Sequence, residues 1–148
     1  MKTFVSNSRE DTVKFAENFA KTLKKGSVVA FLGGLGMGKT AFVSGLAKGL
    51  GIDADVTSPT FSIVNEYIGK ENVLYHFDMY RVDNWDDLYT TGYFDYLDGV
   101  SFLAVEWSEN IFGALEDDAI IVEFEKTDEN SRKITIYNKG DGFADTRS

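Results

Sequence analysis

Residues 33–40 read Gly-Gly-Leu-Gly-Met-Gly-Lys-Thr, and they match the pattern G-x-x-x-x-G-K-S/T at every fixed position. The apolar run at residues 27–32 indicates a buried strand before this stretch, and residues 41–48 indicate a helix after it. A glycine-rich loop between a strand and a helix is the context that a phosphate-binding P-loop requires. The stretch therefore predicts a P-loop and the binding of a nucleoside triphosphate.

The residue types of a P-loop follow from the phosphates that it holds. Glycine lets backbone N–H groups turn inward around phosphate oxygens, at positions where a Cβ would obstruct them. The N-terminus of the following helix adds its dipole. In this pattern Lys39 reaches the β- and γ-phosphates, and the hydroxyl of Thr40 binds Mg²⁺. The expected ligands are therefore a nucleotide and Mg²⁺.

The rest of the chain predicts one α/β domain. The chain has 148 residues, of which 43% are hydrophobic, and this is enough apolar material for one buried core. We expect a domain over residues 1–140 and a flexible C-terminal tail over residues 141–148. Strand-like and helix-like segments alternate, which indicates a single P-loop NTPase-type domain with a mixed central β-sheet flanked by helices.

The predicted elements come from hydrophobic periodicity and turn residues. Ser8 with Asp11 resembles a capping box at the start of the first helix. Predicted strands cover residues 2–5, 27–32, 61–68, 73–77, 100–105, 120–125 and 133–137. Predicted helices cover residues 9–24, 41–50, 84–88, 93–97 and 111–115.

Charge and composition restrict the partners and the compartment. The formal net charge is −9, and so acidic a surface repels phosphate backbones, so no direct, tight nucleic-acid binding is expected. No apolar run is long enough to span a membrane, so no membrane association is expected. The absence of cysteine and of an apolar stretch near residue 1 favours a cytoplasmic protein.

Two acidic residues are candidates for the chemistry. Phosphoryl transfer needs an acidic group that holds Mg²⁺ and a group that places the attacking water. Glu106 follows an apolar strand, as a Walker B acid does, although a glutamate facing solvent is the alternative. Asp78 also ends a strand, and its alternative is a turn or capping aspartate. His76 and Trp107, taken alone, are residue types more often packed in a core than functional.

Two further patterns concern the nucleotide. Thr57, Ser58 and Thr60 are candidates for sensing a γ-phosphate, as mobile switch segments do, but a simple Ser-Pro turn is at least as good an interpretation. Residues 138–141 fit the letters N-K-x-D, with which GTPases bind guanine. They follow the last predicted strand at the end of the chain, so we interpret them as a turn and favour adenine.

Four motifs occur in a fixed order along the chain. They are G-x-L-G-x-G-K-T, then V-T-S-P-T-F at 56–61, H-x-D-x-Y-R at 76–81 and E-W-x-E at 106–109. With them the chain resembles the bacterial TsaE (YjeE) family of small P-loop ATPases over nearly its whole length. Because P-loops are shared by very many proteins, residues 56–61 and 76–81 carry the specific part of the resemblance.

The resemblance implies an ATPase needed for threonylcarbamoyl modification of the adenosine beside the anticodon in certain tRNAs. In that family the ATPase associates with the TsaD–TsaB pair that performs the transfer, and its ATP cycle supports turnover of that complex. The implied cofactors are ATP and Mg²⁺. An acidic surface suits a protein that works through protein partners.

The resemblance also implies roles for individual residues. Thr40 and Glu106 would bind Mg²⁺, and Asp78 would support hydrolysis together with Lys39. Trp107 would lie near the nucleotide, and residues 57–60 would match the family's switch-like loop. Ser8 and Arg132 would border the adenine. The residues that would enclose the phosphates are Gly36, Met37, Gly38, Lys39, Thr40 and Ala41.

One position departs from the family pattern. The family usually has aspartate at the second position of the P-loop, where this chain has Gly34. Glycine keeps the backbone cradle but removes a carboxylate, so nucleotide binding should survive while hydrolysis or partner coupling changes. Two alternatives remain open: a small-molecule or nucleoside kinase on a P-loop fold, and a nucleotide-dependent binding module that does not hydrolyse ATP.

Overall fold

The structure is a computed structural model, and it describes residues 1–33, 38–57, 59 and 63–141. Its centre is a seven-stranded sheet with the strand order β1-β7-β6-β2-β5-β4-β3. The strands are β1 (Lys2–Ser6), β2 (Val28–Leu32), β3 (Val64–Ile68), β4 (Val73–Asp78), β5 (Phe102–Glu106), β6 (Ile120–Lys126) and β7 (Arg132–Asn138). The helices are α1 (Arg9–Ala20), α2 (Lys39–Gly49) and α3 (Trp85–Thr90). Short 3₁₀ helices cover Tyr93–Tyr96, Ser108–Ala114 and Lys139–Asp141.

The sheet is mixed, as predicted. Strand β2 pairs in parallel with β5 and β6, and β4 pairs in parallel with β5. The outer pairs β3–β4, β6–β7 and β1–β7 are antiparallel. The carboxyl ends of β2, β4, β5 and β6 therefore lie along one edge of the sheet, which we call the carboxyl edge. The predicted α/β class with a mixed central sheet is confirmed.

Each face of the sheet packs on its own core. Helices α1 and α2 cover one face, where Phe42 is fully buried and meets Phe31 and Phe124 at ring-centroid distances of 5.5 and 5.9 Å. The other face is covered by α3 and the 3₁₀ helices, around Phe77 and Tyr93. No helix in the described part of the chain is long and apolar enough to cross a membrane.

Helices α1 and α2 are in close contact because α2 carries glycine where the two backbones meet. A Cβ at Gly45 would lie 2.3 Å from the carbonyl oxygen of Val13, and one at Gly49 would lie 2.3 Å from that of Glu17. At the start of α1, Ser8 accepts a hydrogen bond from the backbone N–H of Asp11. The Asp11 carboxylate in turn accepts a hydrogen bond from the backbone N–H of Asn7. The predicted cap is therefore present, except that this second bond comes from Asn7 instead of Ser8.

Element boundaries differ from the predictions in a few places. Helix α1 ends at Ala20 instead of residue 24, because residues 21–27 form turns whose backbone bonds close back on the helix end. The predicted helix at 111–115 is part of a longer 3₁₀ helix, Ser108–Ala114. Residues 142–148, most of the predicted tail, and residues 61–62 of the third predicted strand lie outside the described residues.

The interpretation of residues 138–141 as a turn is confirmed. Asn138 pairs with Ile120, the first residue of β6, so it lies at the edge of the sheet opposite the carboxyl edge. The Nζ atom of Lys139 donates to the carbonyl oxygen of Leu115 at 2.6 Å. These residues close the end of β7 far from the loop that follows β2.

Candidate functional site

The carboxyl edge brings the two predicted acids and the P-loop lysine to one place. Glu106 and Asp78 are the last residues of β5 and β4, and their Cα atoms are register partners. Strand β2, which leads into the P-loop, is the other neighbour of β5. Ligands of open parallel sheets bind in this kind of position, outside the carboxyl ends of the strands. The chain thus places three predicted residues at a typical ligand-binding position.

Strand alternation places both acids on the sheet face that α2 covers. Leu74 of β4 and Ala104 of β5 belong to the core beneath α1 and α2. Side chains two residues apart share a face of a sheet, so His76, Asp78 and Glu106 are on the same side. Since α2 begins with Lys39 on that side, the acids and the helix N-terminus face each other.

Gly38 determines how the chain enters α2. It caps the helix with φ 95° and ψ 18°, a left-handed conformation that L side chains rarely adopt, and a Cβ there would meet nothing within 4 Å. The need for glycine at this position is therefore conformational. The next three residues, Lys39, Thr40 and Ala41, form the first turn of α2, whose N–H groups favour an anion.

Lys39 is buried and its ammonium group rests on an aromatic ring. Only 6% of the residue is exposed, and Nζ lies 4.6 Å from the ring centroid of Trp107. Trp107 directly follows Glu106 and has φ 59°, the one left-handed non-glycine residue in the described part of the chain. Its ring also meets that of Tyr80 at 4.9 Å. Trp107, expected near the nucleotide from the family resemblance, therefore lies beside the P-loop lysine.

Glu106 is buried and is held by a histidine. It is 7% exposed, and its Oε2 lies 2.5 Å from Nε2 of His76, which is fully buried on β4. The interpretation of Glu106 as a solvent-facing glutamate is therefore wrong. A buried carboxylate carries a desolvation penalty, which a nearby cation such as Mg²⁺ would offset.

Asp78 differs from Glu106 in its surroundings. It is half-buried, and its Oδ1 accepts a hydrogen bond of 2.9 Å from the backbone N–H of Tyr80. One carboxylate oxygen of Asp78 therefore has the turn-stabilising role of the alternative interpretation. Asn110 fastens the same turn by donating to the carbonyl oxygens of Met79 and Tyr80.

Glu109 is a contact that sequence reasoning missed. Its Oε2 accepts a 2.9 Å hydrogen bond from the backbone N–H of Gly33, the first residue of the P-loop pattern. It is the last residue of the E-W-x-E motif, but nothing local in the sequence assigns it a partner 76 positions away. His76, which opens the H-x-D-x-Y-R motif, is packed in the core as its residue type indicated, but the sequence assigns it no partner either.

The available donors fit Mg²⁺ held mainly by a nucleotide. Among the described residues, no three His, Cys, Asp or Glu side chains form a metal-binding group. Mg²⁺ usually takes one or two protein ligands together with phosphates and waters. The hydroxyl of Thr40, on the first turn of α2, and the carboxylate of Glu106 are oxygen donors of the preferred kind.

The two residues expected beside the adenine lie on the antiparallel side of the same edge. Arg132 pairs with Ser6, two residues before Ser8, and the hydroxyl of Ser131 lies 2.8 Å from the Asn7 side-chain oxygen. Arg132 donates to the carbonyl oxygens of Asp128 and Ser131. Ser8 is occupied in capping α1. The pairing of β1 with β7 thus puts Ser8 and Arg132 at the same end of these two strands.

A cavity of about 510 Å³ lies over the end of β2 and the β6–β7 hairpin, on the sheet face opposite α2. The charged residues of its lining are mostly acidic: Glu109, Glu123 and Glu125, with Lys133 as the basic residue. Carboxylates repel phosphate oxygens, so the cavity is a poor phosphate site. Arg132 alternates with Lys133 along β7 and is not part of this lining.

Part of the predicted site lies outside the described residues. Gly36 and Met37 of the phosphate-enclosing set are there, as are Gly34, Ser58 and Thr60. Thr57, the described start of the switch-like loop, is fastened to β3. Its backbone N–H donates to the hydroxyl of Tyr67, and that hydroxyl donates back to the Thr57 carbonyl oxygen.

Comparison with known proteins decides the family. The family model "Threonylcarbamoyl adenosine biosynthesis protein TsaE" matches residues 6–134. The chain belongs to the TsaE family. A TsaE from Aquifex aeolicus is 43% identical over 141 residues, which cover 94% of this chain and 98% of that protein. TsaE of Bacillus subtilis is 35% identical and covers 90% of this chain and 84% of its own length.

The fold also matches a crystal structure. YdiB from Bacillus subtilis superposes with a TM-score of 0.77 at 31% sequence identity, covering 94% of this chain and 86% of YdiB. The predicted resemblance to the TsaE family, made from four motifs, is thus confirmed. The matched residues include the P-loop, β4 and β5, so the site described above lies within the region shared with the TsaE family.

Proposed function

We propose that this protein is a Mg²⁺-dependent ATPase that supports threonylcarbamoyl modification of the adenosine next to the anticodon of tRNA. The observation that carries the proposal is the meeting of Lys39, Glu106 and Asp78 at the carboxyl edge, in a chain of the TsaE family. ATP and Mg²⁺ are the cofactors, and the protein acts on a TsaD–TsaB type complex in the cytoplasm.

The residues divide the work of phosphoryl transfer among them. The N–H groups of the P-loop and of the first turn of α2 would bind the phosphates, and the ammonium of Lys39, which lies over the Trp107 ring, would contact the β- and γ-phosphate oxygens. Thr40 and Glu106 would hold Mg²⁺. When bound, this ion neutralises charge that develops on the phosphates. Asp78 orients the attacking water with the carboxylate oxygen that Tyr80 does not use.

Burial strengthens these interactions. Lys39, Glu106 and His76 are at most 7% exposed, so their charges and dipoles act in a medium less polar than water. A charged pair at this depth attracts more strongly than one at the surface, and Mg²⁺ beside Glu106 would relieve the desolvation penalty of the carboxylate. The geometry therefore favours binding of a metal–nucleotide complex over binding of the bare nucleotide.

The adenine base and the partner proteins are the remaining parts of the proposal. Ser8 and Arg132 border the adenine in this proposal, and their position at the carboxyl edge supports it. The net charge of −9 argues against a direct hold on tRNA and for action through proteins.

Reconstitution of the tRNA modification tests this function. TsaD–TsaB, the threonylcarbamoyl donor and tRNA are incubated with and without this protein, with ATP or with a non-hydrolysable analogue. We expect multiple turnovers of modification only with this protein and ATP. Equal turnover with the analogue would instead favour the non-hydrolysing binding module. No effect of the protein, together with phosphorylation of an added nucleoside or sugar, would favour a kinase.

A further inference from the structure

The pair of His76 and Glu106 is the most unusual contact in the described part of the chain. Both side chains are buried, and Nε2 of His76 lies 2.5 Å from Oε2 of Glu106. The other ring nitrogen, Nδ1, is also buried and has no hydrogen-bond partner among the described residues. Among the described residues, the imidazole therefore has one polar contact, with a carboxylate oxygen.

A purely structural role explains this contact poorly. An apolar side chain on β4 would pack in the same core without leaving a buried nitrogen unpaired, as Leu74 does two residues earlier. Burying the histidine and the glutamate together costs free energy that hydrophobic residues of similar volume would avoid. The pair is accounted for if it holds the carboxylate in one orientation for another purpose.

We propose that His76 is a positioning residue that aims Glu106 at the Mg²⁺ of the bound nucleotide. The proposal rests on the proposed function. The Nε2–H donates to Oε2 and fixes the Glu106 side chain, which leaves Oε1 as the oxygen for the metal. A hydrogen bond from a second residue commonly orients the carboxylate or imidazole that ligates a metal.

The neighbours of the histidine limit its own movement. His76 lies on a central strand that is bonded on both sides, to β3 and to β5. Its ring packs 6.4 Å from that of Tyr67, whose hydroxyl is bonded to the backbone of Thr57. A buried ring on a strand that is bonded at both edges can keep a fixed direction toward Glu106, whereas a solvent-exposed histidine could not.

Two amide substitutions separate a donor in the right place from a polar group in general. The amide nitrogen of H76Q can reach near the position of Nε2, whereas that of H76N lies near Nδ1 and cannot reach Glu106. The measurement is the Kd for ATP by titration calorimetry, with saturating Mg²⁺ and with EDTA. The ratio of these Kd values, the Mg²⁺ coupling, does not depend on hydrolysis.

We expect H76N to lower the Mg²⁺ coupling by about tenfold, and H76Q to stay close to the wild type. Equal coupling in H76N and the wild type would overturn the proposal, as would equal losses in both variants. If H76N does not fold, H76M replaces it, because methionine has similar length and no donor. Wild-type protein that binds no ATP, or binds it without Mg²⁺ coupling, would refute the proposed function itself.

Two controls test whether His76 acts through Glu106. L74M changes packing on the same strand and face, so it should alter thermal stability and leave the coupling unchanged. A fall in coupling as large as that of H76N would overturn the assignment. In an E106Q background, H76N should cause no further loss, because the carboxylate that it positions is already absent. Losses that multiply would show that the histidine acts elsewhere.

Discussion

The parallel centre of the sheet and its antiparallel flank contribute different kinds of residues to the same carboxyl edge. Near the ends of β4 and β5, the polar residues His76 and Glu106 are buried, and Lys39 is buried with its ammonium over the ring of Trp107. On the flank, Arg132 is half-buried and Lys133 is exposed. Burial of charge costs free energy at the centre and almost none on the flank.

This difference in the burial of charge determines how strongly each region indicates a function. A buried lysine and a buried carboxylate demand an explanation, and a bound metal–nucleotide supplies one. A half-buried arginine that donates hydrogen bonds to nearby carbonyl oxygens needs no bound ligand to explain it. The hairpin turn beside it illustrates the point, since backbone N–H groups, chiefly that of Asn130, lower the pKa of the Asp128 carboxyl in a turn with no evident catalytic role. Substitutions should therefore have large effects at the centre and small ones on the flank.

Lys39→Ala should have the largest effect. The variant loses a charge-assisted contact to the phosphates worth about 1.5–3 kcal/mol, so the Kd for ATP should rise by roughly 10–100-fold. Hydrolysis should fall by about 10²–10³-fold, because the lysine also stabilises the transition state. Titration calorimetry and phosphate release measure the two effects. Lys48→Ala, an exposed lysine at the other end of α2, is the control, and equal losses in both variants would refute the P-loop assignment.

Asp78→Asn should reduce kcat by about 10²–10³-fold while KM changes little, because asparagine cannot orient water as a carboxylate does. The Asn Oδ1 can still accept the N–H of Tyr80, so the turn should persist. Asp98→Asn is a matched control: Asp98 also bonds the N–H two residues later, at 2.8 Å, but at the opposite edge of the sheet. Steady-state ATP turnover decides, and a wild-type kcat in the Asp78 variant would reduce Asp78 to a turn residue.

Glu106→Gln should weaken Mg²⁺ binding and leave the binding of nucleotide without Mg²⁺ unchanged. We expect the Mg²⁺ coupling of ATP binding to fall by about tenfold, while Kd in EDTA stays within a factor of two or so. The glutamine oxygen can still accept from His76, so the fold should hold. Glu125→Gln, at an exposed position of β6, should change neither constant. Unaltered coupling in the Glu106 variant would remove its metal role.

Arg132→Ala should have the smallest effect. Removing a guanidinium that borders the adenine is worth about 0.5–1 kcal/mol at a partly exposed site, which corresponds to a two- to fivefold rise in Kd for ATP. Lys133→Ala, the next residue on the opposite face of β7, should leave Kd unchanged. If the two variants behave alike, the adenine lies elsewhere. A loss from Arg132→Ala as large as that from Lys39→Ala would contradict the contrast between centre and flank.

The sequence predicts the local parts of this molecule well, for a physical reason. The strand before the P-loop, the helix after it and the β6–β7 hairpin are each specified by neighbouring residues, through apolar runs and turn chemistry. The ends of α1 and of the 3₁₀ helix Ser108–Ala114 were less predictable, because short helices depend on tertiary packing.

The non-local parts of the site could not be derived in this way. Strand β5 lies between β2 and β4, so Glu106 meets His76 across 30 positions of sequence, and no local pattern encodes that neighbour. The contact of Glu109 with Gly33 has the same character. The order of the motifs indicates the family without knowledge of any contact. The partner of the histidine in H-x-D-x-Y-R is visible only in the paired strands.

The most direct test of the central claim is a crystal structure of the protein with Mg²⁺ and a non-hydrolysable ATP analogue. We predict the phosphates at the N-terminus of α2 with the Lys39 ammonium on them, and Mg²⁺ between the Thr40 hydroxyl and the Glu106 carboxylate. A nucleotide bound in the acidic cavity beside Lys133, or phosphates at α2 with Mg²⁺ away from Glu106, would contradict the account.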